Sequence, residues 1–301
     1  MAGLGPNWPA PLQPGDRLLA IAPSGALPER DRLEAGLALW RQRGYTVDLA
    51  EHVFERHGYL AGTDAQRAVD LQRGLGDQRY AGILCVRGGW GGARLLEHQP
   101  WPTQASPKWL VGFSDITSLL WAQVTQGQGG GVHGPLLITL DSEPPEYRQR
   151  LFDLLEGRPL PPLSGDPWVT GTARGPLLPC NLTVATHLLG TALLPDLRGA
   201  ILAIEDVGEA PYRIDRMLTH WRMSGALDQV AGIALGSFDL CEPDPERPGF
   251  TLEAVMRDRL TDLGIPVLAH LPFGHAVGNA ALPVGAIATL QQGQLHIGSG
   301  N

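Results

Sequence analysis

A serine acts as a nucleophile only if its Oγ is held clear and a base can take its proton. Ser114 meets the first condition on local sequence alone. Trp109 to Phe113 is a short apolar run that reads as a buried strand. Beyond it, Ile116, Leu119, Leu120 and Val124 are spaced as on a helix. A serine on such a sharp strand-to-helix turn is held out of the sheet. The N–H groups beside it lie at a helix N-terminus, which favours negative charge developing on a substrate. Gly112-Phe113-Ser114-Asp115 departs from the G-x-S-x-G nucleophile elbow, and a serine here could equally be a helix cap.

A base and a carboxylate to orient it complete such a site. Of the nine histidines, His52, His57, His98, His187, His220 and His296 fall in structural or exposed settings. His133 lies before Gly-Pro in an apolar run and reads as a satisfied core or rim histidine. His270 lies within the strand Ile265 to Leu271. His275 comes just past that strand, next to Gly274, where a side chain can project into a cleft. Glu205 ends the apolar strand Ala200 to Ile204, where an acid is costly unless paired. Glu205 and Asp206 either cap the next turn, or Glu205 takes the Nδ1–H of His275. A third element is the glycine loop Arg87 to Gly92. It lacks the lysine of a phosphate-binding P-loop and the spacing of G-x-G-x-x-G. It is either a tight turn or a close backbone approach to substrate, with Gly88 or Gly89 lending an N–H to an oxyanion.

The elements that must carry these groups alternate. Strands are read at 17–22, 45–49, 81–86 and 109–113, with helices at 29–43, 64–75 and 93–98 and after Ser114. Uniformly apolar strands alternating with helices predict a parallel sheet covered on both faces. Ligands bind such sheets at the carboxyl ends of the strands, where Ser24, the 87–92 loop and Ser114 all fall. Gly131 to Ile138 reads as a further strand and 146–156 as a helix. The Pro/Gly-rich run from Arg158 is the candidate linker. The second half restarts with helices at 181–189, 211–224 and 252–263, strands at 200–204, 230–238 and 265–271, and a hairpin over 286–297. The expected class is therefore α/β: residues 1–160 carry the nucleophile, 161–175 link, and 176–301 form a smaller β-rich α/β domain with the Glu and His. The catalytic cleft is expected between the domains. Residues 1–15 read as a tail.

Bulk composition narrows the function. The 301 residues are 43% hydrophobic and 18% charged, as in a globular protein. A net charge of −8 without a basic run argues against a nucleic-acid partner. No apolar stretch has the length of a membrane span, and the first residues lack the n- and h-regions of a signal peptide. Cys85, Cys180 and Cys241 are odd in number and widely separated, which fits structural thiols in a reducing cytoplasm and gives no zinc spacing.

Six short motifs occur in order: Arg87-Gly-Gly-Trp-Gly, Gly112-Phe-Ser-Asp-Ile-Thr, His133-Gly-Pro, Leu202-Ala-Ile-Glu-Asp-Val-Gly-Glu, Leu235-Gly-Ser-Phe and Phe273-Gly-His. Together the chain resembles the LD-carboxypeptidases of peptidase family S66 over residues 16 to 290. The resemblance implies a flavodoxin-like N-terminal domain, a smaller β-rich C-terminal domain and a homodimer. It implies a serine peptidase with a Ser114–Glu205–His275 triad, and an oxyanion hole from the N–H groups of Asp115 and Gly89. No metal or organic cofactor is expected. The implied substrate is a small murein peptide, a tetrapeptide losing its terminal D-alanine in cytoplasmic cell-wall recycling. The alternatives are a hydrolase of microcin C-type peptide-nucleotides and a catalytically inactive peptide-binding protein. Arg87 and Arg213 are candidates for a substrate carboxylate, and Trp90 or Trp168 for stacking on a nucleobase. One departure stands out: Pro179-Cys180 precedes Asn181-Leu182 where the family often has Gly-Gly, so backbone placement near the cleft and substrate scope are open.

Overall fold

The computed structural model describes residues 7–97, 101, 106–246 and 249–298. The first half alternates β1 (Arg17–Ile21), α1 (Arg30–Gln42), β2 (Thr46–Leu49), α2 (Asp64–Gly76), β3 (Gly82–Cys85), α3 (Arg94–Glu97), β4 (Trp109–Gly112), α4 (Thr117–Thr125) and β5 (Gly131–His133). Local chemistry sets the boundaries. Gly44, at φ 88°, ends α1. A capping box starts α2: Thr63 Oγ1 accepts from the Gln66 N–H and Gln66 Oε1 from the Thr63 N–H. β1 to β5 pair in parallel in the order β2-β1-β3-β4-β5, the flavodoxin order, which reverses direction between β1 and β3.

Two short helices follow, α5 (Leu137–Leu140) and α6 (Pro145–Leu155). Here the expected strand over 131–138 is corrected. Pro135 has no N–H for the ladder, so β5 stops at His133 and the chain coils into α5. The expected tail is also corrected for its described part. Leu12 is buried and donates its N–H to Leu155 O, and the Trp109 indole donates to Ala10 O. His98, at the end of the short helix read over 93–98, lies outside the described residues.

The second sheet draws on β6 (Leu163–Ser164), β7 (Asp166–Val169), β8 (Ala173–Asn181), β9 (Ile201–Val207), β10 (Gly232–Asp239), β11 (Val267–Ala269), β13 (Ile287–Gln291) and β14 (Gln294–Ile297). Its order is β6-β14-β13-β8-β9-β10-β11-β7, with β8 to β11 parallel and the flanking strands antiparallel. The stretch 161–175, expected as a linker, contributes β6, β7 and the start of β8 to this sheet. Helices α7 (Leu182–Leu188), α8 (Pro211–Met223) and α9 (Leu252–Leu260) complete the half. The exchange runs both ways: β12 (Leu282–Pro283) leaves the second half and pairs antiparallel with β5 of the first. One apolar core continues across the junction, with Trp121 of α4 and Cys180, Leu182 and Ile214 in the same buried cluster.

Pro179 sits in β8 without harm. The β13 ladder on that side of β8 covers only Ala173 to Pro176, so no strand partner is denied an N–H. The Pro179 carbonyl instead accepts from the Trp121 indole at 3.1 Å.

α5 packs so tightly under α1 that a Cβ on Gly36 would run into the Leu137 carbonyl oxygen. Gly36→Ala is expected to cost about 1–3 kcal/mol through this overlap. Denaturant unfolding should show a lower midpoint at unchanged slope; a wild-type midpoint would refute the tight contact.

Candidate active site

Ser114 follows β4 at the head of a single 3-10 turn, Ser114–Ile116, which leads into α4. Its φ is +65°, left-handed backbone that a serine occupies at a cost of roughly 1–2 kcal/mol. Strain of this kind persists only where the surroundings impose it. Asp115 does so here. Its carboxylate is fully buried, and Oδ2 accepts from Ser24 Oγ at 2.5 Å and from the Gly92 N–H at 2.7 Å. Burial pushes the Asp115 carboxyl above its usual range, against the pull of these two donors and of nearby Arg67. Arg67, itself buried, donates to the carbonyls of Pro23 and Gly91. One buried polar cluster thus ties the ends of β1, β3 and β4 together. Gly88 is the close approach: a Cβ there would lie 3.0 Å from Ser114 Cβ and 3.1 Å from Oγ. Gly89 adopts φ +109° beside it. Among the described residues neither Ser114 Oγ nor the Gly89 N–H makes a hydrogen bond.

The second half supplies a paired acid and imidazole. Glu205, in β9, is completely buried, and its Oε2 lies 2.6 Å from His275 Nδ1. Burial works against the imidazolium, but the hydrogen bond to Glu205 and its charge outweigh that, so His275 titrates above its ordinary value. The His275 ring tilts against Phe113, with centroids 4.7 Å apart, and so lies beside the residue that precedes the serine.

A set of contacts holds the 273–279 loop in place. Gly274 has φ +116°, and a Cβ there would collide with Ser237 Oγ and lie 2.9 Å from Glu205 Cβ. Ser237 Oγ accepts the Ala276 N–H at 3.1 Å, and Asn279 Oδ1 accepts that of Gly274 at 3.1 Å. Glu143, in the turn before α6, reaches over from the first half. Its Oε2 accepts the N–H groups of Gly278 at 3.1 Å and Asn279 at 2.9 Å.

The junction beneath the pair is also cross-linked. Asn181 caps α7 through the Val184 N–H, donates Nδ2 to Asp206 Oδ1 and gives its own N–H to Thr117 Oγ1 of α4. Glu143 was not singled out in the sequence, and Ser24 and Asp206 were placed at strand ends without the partners they have here. Only the polar character of Asp206 at the end of an apolar strand hinted at a partner.

The other candidates separate. His270 is exposed and pairs with Asp166 at 2.7 Å, next to Trp168. His133 is buried against Phe113 and Phe273, but it is not satisfied: neither ring nitrogen has a hydrogen-bond partner among the described residues, and burial holds it down at about 3. Arg213 lines a groove between α7 and α8 and pairs with Glu209 at 3.3 Å, and Trp168 stacks on Arg257 at 4.1 Å. Arg87 and Trp90 line a cavity of about 370 Å³ that opens beside Gly25 and Gly89. Cys85, Cys180 and Cys241 are buried and unbridged. Among the described residues no helix is long and apolar enough to cross a membrane.

Comparison with known proteins agrees with this architecture. Residues 19–134 match the LD-carboxypeptidase N-terminal domain and 174–290 the C-terminal domain. A Synechocystis sp. protein assigned as a carboxypeptidase is 54% identical over 96% of this chain and 97% of its own. The murein tetrapeptide carboxypeptidase of Pseudomonas aeruginosa is 36% identical over 94% and 96%. The solved muramoyltetrapeptide carboxypeptidase of Oxalobacter formigenes superposes with a TM-score of 0.80 at 29% identity, covering 94% of this chain and 99% of that one. The microcin C7 self immunity protein shares the fold, with a TM-score of 0.85 at 22% identity over 98% and 99%. With both halves matched in order and relatives aligned nearly end to end, the chain belongs to the LD-carboxypeptidase family, peptidase family S66.

Proposed function

We propose that the chain is a serine carboxypeptidase that cuts the L,D-bond releasing the terminal D-alanine of a murein tetrapeptide, with Ser114, Glu205 and His275 as its triad. The observation that carries this reading is the strained Ser114 on the same rim as an imidazole held at 2.6 Å by a buried carboxylate. The substrate class is supported by the activity named for the 36%-identical relative.

His275 Nε2 takes the Ser114 Oγ proton while Glu205 fixes the tautomer through Nδ1–H. Oγ bonds to the carbonyl carbon, and the oxyanion falls between the N–H groups of Gly89 and Asp115. Each such donor is worth roughly 3–4 kcal/mol at the transition state. As the C–N bond breaks, His275 returns the proton to the amine of D-alanine. Water, deprotonated by His275, then releases the acyl group. The free Ser114 Oγ joins His275 as substrate binds, since hydrogen bonds of this kind tighten in the Michaelis complex.

Mass spectrometry of D-alanine release from a murein tetrapeptide tests the reading. Wild type is expected to release it and Ser114→Ala to fall by about 10⁶-fold, as loss of such a nucleophile does. Inertness of folded wild type toward tetrapeptide, with cleavage of an aminoacyl-nucleotide conjugate, would replace the substrate.

The pH profile tests the pair separately. A base must be neutral, and His275 is raised, so kcat/KM should climb with pH along a limb lying above 6.5. In Glu205→Gln burial is opposed only by the charges of Asp206 and Asp239. The limb should then move to lower pH while kcat falls by up to about 10⁴-fold. An unmoved limb would remove Glu205 from the triad.

A further inference from the structure

An exopeptidase must recognise the chain end, and here only one residue lies beyond the cut. Its carboxylate follows the attacked carbonyl by C–N–Cα–C, within about 5 Å of it. The cation that receives it must therefore lie close to the nucleophile. The cavity beside Gly25 and Gly89 borders the loop that packs against Ser114. Gly88, whose Cβ position touches Ser114 Oγ, adjoins Gly89 and accepts the Gly25 N–H at 3.0 Å. The cavity also lies between the carboxyl ends of β1 and β3, where the strand order reverses and open sheets of this type bind ligands.

Two guanidinium groups, Arg56 and Arg87, line the cavity with the exposed rings of Tyr59 and Trp90, and among the described residues no acid does. Arg87 is anchored by donating Nη1 to Ala26 O. Arg56 has no hydrogen bond or ion pair with any described residue. The loop that carries it is nonetheless held to the nucleophile rim. Tyr59 O accepts the Ala26 N–H, Ser24 O accepts the Ala61 N–H, both at 3.0 Å, and His57 and Leu60 exchange backbone hydrogen bonds. Arg213, in its separate groove, is already paired with Glu209.

We propose that this cavity is the leaving-group subsite, in which Arg56 takes the free carboxylate of the terminal D-amino acid and Arg87 supports it. A planar guanidinium suits a carboxylate by its two parallel donors. This assignment rests on the carboxypeptidase reading, and it places recognition of the chain end on the first half alone.

Binding to the Ser114→Ala protein, measured by calorimetry, separates the subsite from the chemistry. The probes are the tetrapeptide with a free C-terminal carboxylate and the same peptide as its C-terminal amide. The acid is expected to bind more tightly than the amide. Adding Arg56→Ala should weaken the acid by about 10- to 100-fold and leave the amide unchanged, and Arg56→Lys should recover part of the loss. In the active enzyme Arg56→Ala should raise KM for the acid and erase the acid-over-amide preference in kcat/KM. Equal acid binding with and without Arg56 would overturn the subsite while D-alanine release upheld the carboxypeptidase. Competition by adenosine monophosphate, without acid preference, would give the cavity to a phosphate and also overturn it. Absence of both peptide binding and D-alanine release would remove the parent reading.

Discussion

A carboxylate inside a buried strand, fully out of water, is tolerable only if a donor reaches it, and most of the candidate site can be understood as supplying that donor. Glu205 is such a carboxylate, and His275 is the group that meets it. Bringing His275 there fixes the loop from Phe273 to Asn279. Gly274 must be glycine, because any side chain would strike Ser237 and crowd Glu205. Ser237, Asn279 and Glu143 then take up the loop's N–H groups. The cost of desolvating one acid, several kcal/mol if left unpaired, is offset only by this whole arrangement. It makes the imidazole's position and tautomer a property of the fold.

The first half repeats the principle with a different acid. Asp115 is equally buried, but its partners are a hydroxyl and a backbone N–H rather than a titrating ring. It therefore acts as a tie. It ties the β1 and β3 loops to the turn in which Ser114 is left-handed. One half carries a strained serine hydroxyl and the other an imidazole held by a buried carboxylate. Asn181, bonded to Thr117 on one side and Asp206 on the other, registers the two.

What could be read in the sequence follows the range of the interactions. Periodicity gave the alternation of strands and helices, and with it the α/β class and the rim on which Ser24, Gly88 and Ser114 meet. Glu205 stood out because an acid that follows an apolar run requires a reason, and His275 because it lies in a glycine-containing loop just past a strand. Glu143 gave no such sign: it sits in a polar turn, and its partners are 135 and 136 residues away. Arg56 was invisible for a similar reason, since a cation in a surface loop acquires meaning only from the cavity it lines. The strand read through Gly134 to Ile138 stops at His133 because an apolar run has no period of its own and Pro135 breaks the ladder. The segment 161–175 looked like a linker from its prolines and glycines. Those residues instead shape short antiparallel strands at the margins of a sheet.

The pairing of β12 with β5 has a consequence for how the molecule is made. Residues 282 and 283 supply the outermost strand of a sheet whose other members all lie before residue 134. During synthesis the open edge of β5 must wait for some 150 further residues, about 8–30 s at typical elongation rates. An unpaired parallel edge is a template for association with another chain. The cap that finally covers it ends in Pro283, which has no N–H to offer a further strand. The same closure makes early folding depend on a contact of long sequence separation, which slows it. A chain stopped short of this strand would lack the edge cover as well, leaving a sticky fragment.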